Sequence, residues 1–299
     1  MSEEYKIVED SLYGFKHLFP RPDIKNIDEF YKTKYYEMSK DGSGRPDHIA
    51  RMLSSNAKDV SSEEAWLKRT LHSDVAHYIK KYSSGNKVLE VGCGIGNLLC
   101  ELERSGFDVC GLDSSIYATE IAKMKGCKNV HSKSLKEFYD TNIEKFDAII
   151  LVNVLEHVPY PYDVMNMVKG MLHDNGIVII VVPNDFTRVQ ALAKKRLSIM
   201  KEWWLAIPDH INYFNYSSLN KFMQGLGFKN CCQRGDFPIE LFLLMGFDYT
   251  SNKKLGKRCH DIRVKFEMFI PGYIRRLVYS MLAKFGVGRN CYYVGRICQ

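Results

Sequence analysis

From residue 86 onward, short apolar runs alternate with longer stretches whose apolar residues recur every third or fourth position. Lys87–Val91, Asp108–Leu112, Asn129–His131, Phe146–Val152 and Ile177–Val182 are too short and too uniformly apolar for surface helices and read as buried strands. Leu98–Ser105, Ile116–Lys125 and Tyr162–Leu172 carry the helical period between them. Phe228–Arg234 and Cys291–Ile297 add two more strands, seven in all. Strands and helices in alternation predict an α/β fold: a doubly wound, mostly parallel seven-stranded sheet of the Rossmann-like kind.

The flanks follow other rules. Residues 1–85 show no strand alternation and read as helical where periodic, above all Ser62–Tyr82, in which Trp66, Leu71, Val75, Tyr78 and Ile79 share a face. The cluster Tyr31, Tyr35 and Tyr36 suits an N-terminal helical lid or ordinary packing, and Asp41–Pro46 is a loop by its glycine and proline content. After Pro183 come two more helices, Thr187–Met200 and Ser217–Gly225, with Trp203 and Trp204 between them as pocket wall or core. Residues 237–289 are too long for a plain connection between two strands and predict a helical insertion before the last strand. The resulting divisions are 1–85, a core at 86–236, an insertion at 237–289 and a final strand at 290–299.

Composition adds limits. The chain has 299 residues, 45% hydrophobic and 26% charged, enough apolar surface to rule out disorder as its main state. Its longest apolar runs, Ile177–Val182 and Leu241–Met245, fall far short of the ~20 residues a membrane-spanning helix needs. The opening Met1-Ser2-Glu3-Glu4 is unlike a secretory leader, so a cytoplasmic protein is expected. Nine cysteines without a C-x-x-C pair exclude a zinc ribbon or a thioredoxin motif and read mostly as buried free thiols. The net charge of +7 is uneven: residues 251–299 carry eleven Lys and Arg against two acids, and the rest of the chain is slightly acidic. The insertion therefore predicts a basic cap over an acceptor, in which Arg258, Arg263, Lys265, Arg275 and Arg276 would suit a phosphate or carboxylate. A homodimer interface and a membrane-surface contact are its alternatives.

The chemistry concentrates at Glu90-Val91-Gly92-Cys93-Gly94-Ile95-Gly96-Asn97, where a strand runs through glycines directly into a helix. Glycine lets the backbone turn sharply and a ligand approach the main chain, and in an open α/β sheet this crossover lies at the strand ends where ligands bind. The spacing is G-x-G-x-G rather than the G-x-G-x-x-G of dinucleotide enzymes, which excludes a nicotinamide dehydrogenase. Asp113, at the end of the next strand, is placed to bind both hydroxyls of a ribose.

E-V-G-C-G-I-G-N, G-L-D-S-S at 111–115, F-D-A-I-I-L-V-N-V-L-E-H-V at 146–158 and G-I-V-I-I-V-V-P-N at 176–184 together resemble the class I S-adenosylmethionine-dependent methyltransferases. L-E-H-V-P and H-I-N-Y-F are similar to the small-molecule branch with ubiquinone-pathway and sugar-modifying enzymes, and the flanks to methyltransferases of surface-polysaccharide and natural-product pathways. The resemblance implies that S-adenosylmethionine is the cofactor. Glu90, Gly92 and Gly94 would contact its methionine half, with Gly96 opening the helix. Asp113 would bind the ribose, Ser114 would lie beside the adenine, Ser134 and Leu135 would edge it, and Asn153 would lie beneath the methionine. A small-molecule acceptor, with a hydroxyl of a sugar, sugar nucleotide or natural-product intermediate foremost, is the expected partner.

Methyl transfer to a hydroxyl requires alignment and removal of a proton. His157 and His210 are the candidate bases, since imidazole titrates near neutrality, and loop anchoring is the alternative use of each. Ubiquinone-type enzymes carry an E-x-x-E-H metal signature here; this chain reads Asn153-Val154-Leu155-Glu156-His157, lacks the first carboxylate, and is expected to hold no metal. A nucleic-acid methyltransferase drawn to phosphate by the basic tail is an alternative, but an Asn/Asp-Pro-Pro-Tyr motif is missing after the fourth strand, so that reading loses most of its weight and nucleic acid is not an expected partner. A catalytically silent S-adenosylmethionine-binding partner protein stays open beside the enzyme.

Overall fold

The computed structural model describes residues 5–23 and 57–297. Tyr31, Tyr35 and Tyr36, and with them the expected tyrosine lid, lie outside the described residues. Two compact units divide the described residues: one holds Asp23, 57–152 and Tyr160–Ile179, the other 5–22, Asn153–Pro159 and 180–297.

In the first of these, α1 (Ala57–Leu67) passes through one wide turn, Lys68–His72, into α2 (Ser73–Tyr82). That turn forms where hydroxyls compete for the helix carbonyls: Thr70 donates to the Trp66 carbonyl at 2.7 Å and Ser73 to that of Arg69 at 2.8 Å. Val75, Tyr78 and Ile79 turn inward as their spacing predicts. Next come β3 (Lys87–Val91), α3 (Asn97–Arg104), β4 (Asp108–Asp113), α4 (Ile116–Met124), β5 (Val130–Ser132), α5 (Leu135–Thr141), β6 (Phe146–Val152) and α6 (Pro161–Met171). β3 pairs in parallel with β4 on one side and β6 on the other, and β4 with β5. Val88, Leu89, Ile149 and Ile150 are sealed from water, which explains why these strands carry continuous apolar runs rather than alternation.

The thiol expectation needs one correction. Cys100 on α3 and Cys127 after α4 form a disulfide, whereas Cys93, Cys110, Cys259 and Cys291 are buried and free. The pair is 27 residues apart in sequence, and only the packing of α3 against α4 makes it legible.

The other unit opens with a correction of the expectation that residues 1–85 hold no strand and are helical where periodic. β1 (Lys6–Glu9) and β2 (Lys16–Phe19) form an antiparallel hairpin, and β2 also pairs with β8 (Asn212–Tyr213), another strand with no sequence warning. Four- and two-residue strands are too short for alternation to register. The turn signal was there: Asp10 accepts the amides of Leu12 and Tyr13 at 3.0 and 2.8 Å, and Gly14 takes φ +72°. Phe15 then stacks on Phe214 at 4.8 Å.

This unit continues with β7 (Leu172–Pro183, which begins in the first unit), α7 (Arg188–Arg196), α8 (Tyr216–Gly225), β9 (Phe228–Arg234), α9 (Glu240–Leu244), α10 (Lys253–Phe269), α11 (Gly272–Lys284) and β10 (Asn290–Ile297). The complete sheet runs β5-β4-β3-β6-β7-β10-β9, with β9 and β10 antiparallel. It is the expected seven-stranded, mostly parallel Rossmann-like sheet. The insertion is helical, as expected, in α9 to α11. Among the described residues no helix is long and apolar enough to cross a membrane.

Candidate active site

Two constellations carry chemistry, one in each unit. The first grows out of β3. Gly92, Gly94 and Gly96 take φ of +71°, +52° and +76°, a region L-residues rarely visit, so this loop requires glycine. The backbone folds onto β4: the amides of Gly92 and Cys93 donate to the Leu112 carbonyl at 2.7 and 2.9 Å. Gly96 has a second reason to be glycine. A Cβ there would lie 2.7 Å from that of Ala122 and 2.9 Å from the Cys127 sulfur, so the residue sets the approach of α3 to α4.

Asp113 braces this loop. One carboxylate oxygen accepts the Gly94 amide and the other the Ser115 amide, each at 2.9 Å. Each oxygen keeps capacity for a further donor. Enclosure pushes the carboxyl pKa up, against those two bonds. Ser115 caps α4 by accepting the Ala118 amide, with half-buried Ser114 between cap and carboxylate.

Glu90 is the unfinished part of the cradle. It is 4% exposed, and its Oε2 has no hydrogen-bond partner among the described residues. Burial, then the charge of Asp113, raise its pKa well above the carboxylate range, while a bond from the Leu99 backbone opposes them. A buried carboxylate in this position is stabilised by a cation. Cys93 beside it is no nucleophile: burial, then Glu90 and Asp113, push its thiol well up.

Ser134 and Leu135 begin α5. The Ser134 hydroxyl and the Glu137 carboxylate close a reciprocal cap, so that serine is committed to starting the helix.

The second constellation joins Asn153–Pro159, which follows β6, to the segment before β8. Asn153 is exposed at φ +53°, its amide donating to the Val181 carbonyl at 2.8 Å. Buried Asn212 is the clamp: its Nδ2 donates to the carbonyls of Leu155 and Val158 at 2.8 and 2.7 Å. The amides of Ile211 and Asn212 both donate to the Glu156 carbonyl, at 2.6 and 3.0 Å. Arg21 reaches the Asn212 amide oxygen at 3.2 Å and also the Pro159 carbonyl.

This clamp brings His157 and His210 together, with ring centroids 4.9 Å apart and edge to face. His157 Nδ1 lies 2.9 Å from the Asp209 carbonyl and 3.5 Å from its carboxylate, and Nε2 lies 3.9 Å from Glu156. Burial by itself would lower the His157 pKa. Asp209 and Glu156 outweigh it and raise the value to about 9. Burial raises that of Glu156 to about 7, with His157 opposing. His157 is therefore held as an imidazolium at neutral pH. Of the two histidines expected to serve as bases, it is the one whose proton is already in place.

Glu156, His157 and His210 each offer an atom within 4.8 Å of the others, one donor more than the sequence showed. The Asn153 position supplies no carboxylate to this set, and the Asp209 and Glu156 contacts favour the protonated form of His157, so a metal would have to displace that proton.

Beside the clamp, Phe186, Ala191, Ile199, Met200 and Trp204 line a mainly apolar cleft of about 530 Å³, with Lys194 at its wall. Phe186 sits at φ +57° and meets both Trp204 and Tyr213 edge-on, each at 5.8 Å. Trp204 is a wall of this cleft; Trp203 packs against it at 4.8 Å. In the insertion, two of the expected anion-binding arginines are spent internally. Arg263 pairs with Asp236 at 2.9 Å and Glu267 at 3.1 Å, and Arg275 is 1% exposed.

A doubly wound sheet with a glycine loop after one strand and an acid ending the next defines a Rossmann-like fold of the methyltransferase type. A family model described as a methyltransferase domain matches residues 64–233, more than half the chain, and the chain belongs to that family. It is similar to a ubiquinone biosynthesis O-methyltransferase of Nitrosococcus oceani, 28% identical over 63% of this chain and 79% of that one. A protein of the same description from Rickettsia canadensis is 26% identical over 83% of this chain and 96% of its own length. The fold is shared with a SAM-dependent methyltransferase from Archaeoglobus fulgidus, with a TM-score of 0.50 and 14% identity over 76% of this chain and 92% of that one.

Glu156, Asp209, Asn212 and Arg21 are the residues that sequence reasoning did not assign. H-I-N-Y-F carried the signal for Asn212, since an asparagine within so apolar a run needs buried partners.

Proposed function

We propose that this chain is an S-adenosylmethionine-dependent methyltransferase that methylates a hydroxyl of a small-molecule acceptor. The observation that carries the reading is the cradle: three left-handed glycines, a braced Asp113, and a buried Glu90 oxygen without a hydrogen-bond partner among the described residues. The cofactor carries an ammonium and a sulfonium, and either cation would relieve the desolvated Glu90. Asp113 retains acceptor capacity for the two ribose hydroxyls, with Ser114 and Leu135 flanking the adenine and Gly92 and Gly94 receiving the methionine half.

When bound, S-adenosylmethionine supplies an electrophilic methyl group on a good leaving group. The chain's own residues do the rest. We assign proton acceptance from the acceptor hydroxyl to His210, because His157 already holds its proton. His157 then fixes the loop through Asp209 and Glu156 and supplies positive charge near a developing oxyanion. No step requires a metal.

The aromatic and apolar cleft at Phe186 and Trp204 favours an acceptor with a flat or apolar body. Together with the ubiquinone-pathway names of the relatives, it shifts the balance from a sugar toward a phenolic hydroxyl. The test is release of S-adenosylhomocysteine with phenols, sugar nucleotides and phospho-sugars offered side by side. Turnover with phenols that disappears in His210→Ala is the expected result. Cofactor binding without turnover on any acceptor would instead make the chain a silent binding partner.

A further inference from the structure

Helix α11 is built inside out. Its inward face holds Arg275 and Tyr279, 1% and 2% exposed, while Leu277 and the following Phe285 are 62% and 80% exposed. At 100° per residue, Tyr273, Ile274, Leu277, Val278, Met281 and Phe285 fall within an outward arc of about 140°. α10 ends the same way: Ile262 and Phe269 face outward at helical spacing, Phe269 at 88% exposure, with Phe266 between them half covered by the ring of Phe237 at 5.6 Å. The inward faces are occupied by polar bonds. Tyr279 donates to Glu267 at 2.9 Å, Arg263 links Glu267 to Asp236, and Asp236 accepts both nitrogens of Asn290 at the start of β10. The hairpin is thus bolted down by its polar side and presents its apolar side to the surroundings, at a cost in solubility unless something covers it.

Charge identifies the occupant. Lys253, Lys254, Lys257, Arg258, Lys265 and Lys284 are exposed on the same two helices, against a single exposed acid, Asp261. Arg258 and Lys265 lie directly beside the Ile262–Phe269 stripe, and Lys284 beside Met281 and Phe285. A second copy docking on this face by two-fold symmetry would set these cations against their own images. Anionic lipid headgroups would complement them while the apolar arc entered the acyl boundary. α11, 13 residues and about 20 Å long, is too short to span a bilayer and suited to lying in its surface.

We propose that the outward face of α10–α11 docks the protein on an anionic membrane surface. The inference does not rest on the methyltransferase reading. Its test is sedimentation of the full chain with phosphatidylcholine vesicles, with and without roughly one-third phosphatidylglycerol. Binding to the anionic vesicles alone is expected, reduced at least about tenfold in Leu277→Glu/Phe285→Glu and by a similar factor in Lys265→Glu/Lys284→Glu. Circular dichroism checks that both variants keep the fold, which exposed positions allow. Absence of binding to anionic vesicles would overturn the proposal, as would equal binding by the folded variants. A dimer in analytical ultracentrifugation that Leu277→Glu/Phe285→Glu splits would assign the face to a second copy and overturn it as well.

Discussion

The cradle at Glu90–Ser115 and the clamp joining Glu156–Val158 to Asp209–Asn212 solve opposite problems. In the cradle the backbone is pinned by local bonds and one buried carboxylate oxygen is left over. In the clamp the charges are set against one another, Asp209 and Glu156 holding His157 protonated, and a buried asparagine ties together segments some fifty residues apart. A region with an unanswered buried acid is prepared for a cationic ligand. A region whose charges answer each other is prepared to hold a shape. The division predicts that damage to the cradle removes cofactor binding, while damage to the clamp removes turnover or stability and spares the cofactor.

The largest effect expected on the clamp side is catalytic. His210→Ala should lower turnover by roughly 10²–10⁴-fold with cofactor affinity unchanged, the usual scale of acid–base help. His157→Ala should cost less, and steady-state kinetics with the larger loss at His157 would reverse the assignment of the two rings. Stability comes next. Asn212→Ala strands the carbonyls of Leu155 and Val158 and should cost about 1–3 kcal/mol in denaturant unfolding. Ser134→Ala, which removes only a helix cap, should cost about 1 kcal/mol. A smaller loss at Asn212 than at Ser134 would deny the clamp its role.

The pH dependence follows from the raised pKa of His157. A histidine that binds its proton more tightly when folded stabilises the fold fully below about pH 6.5, and that contribution fades as the pH rises through about 9. Unfolding free energies of the wild type should therefore fall between these limits by up to about 2–3 kcal/mol more than those of His157→Gln. Parallel curves would remove the imidazolium from the account. The smallest effect is no effect: dialysis against a chelator should leave turnover within about twofold if His157 keeps its proton in place of a metal. A loss restored by a divalent cation would make Glu156, His157 and His210 a metal site after all.

The same contrast governs what the sequence disclosed. Glycines, Glu90 and Asp113 were legible because a strand, a loop and the next strand's end specify them within a few dozen residues, and the parallel strands because sheets buried on both faces must be continuously apolar. His157 and His210 stood out as titratable residues, but their pairing, the protonation of one of them and the part of Asn212 depend on contacts across the chain that no local pattern encodes. The β1–β2 hairpin went unread because four residues cannot establish an alternation. The arginines of the insertion were visible as charge. Whether a charge faces inward, as with Arg263 and Arg275, or outward, as with Lys265 and Lys284, was settled only by folding.

The central claim is that the cradle alone binds S-adenosylmethionine, and calorimetric titration of the cofactor into four proteins tests it most directly. The wild type and His210→Ala should bind with the same affinity. Asp113→Ala should bind at least about tenfold more weakly, having lost the loop brace and the ribose acceptor. Gly94→Asp, which places bulk and negative charge in a loop held at φ +52°, should show no measurable heat. Undiminished binding in both Gly94→Asp and Asp113→Ala, or an equal loss in His210→Ala, would contradict the account.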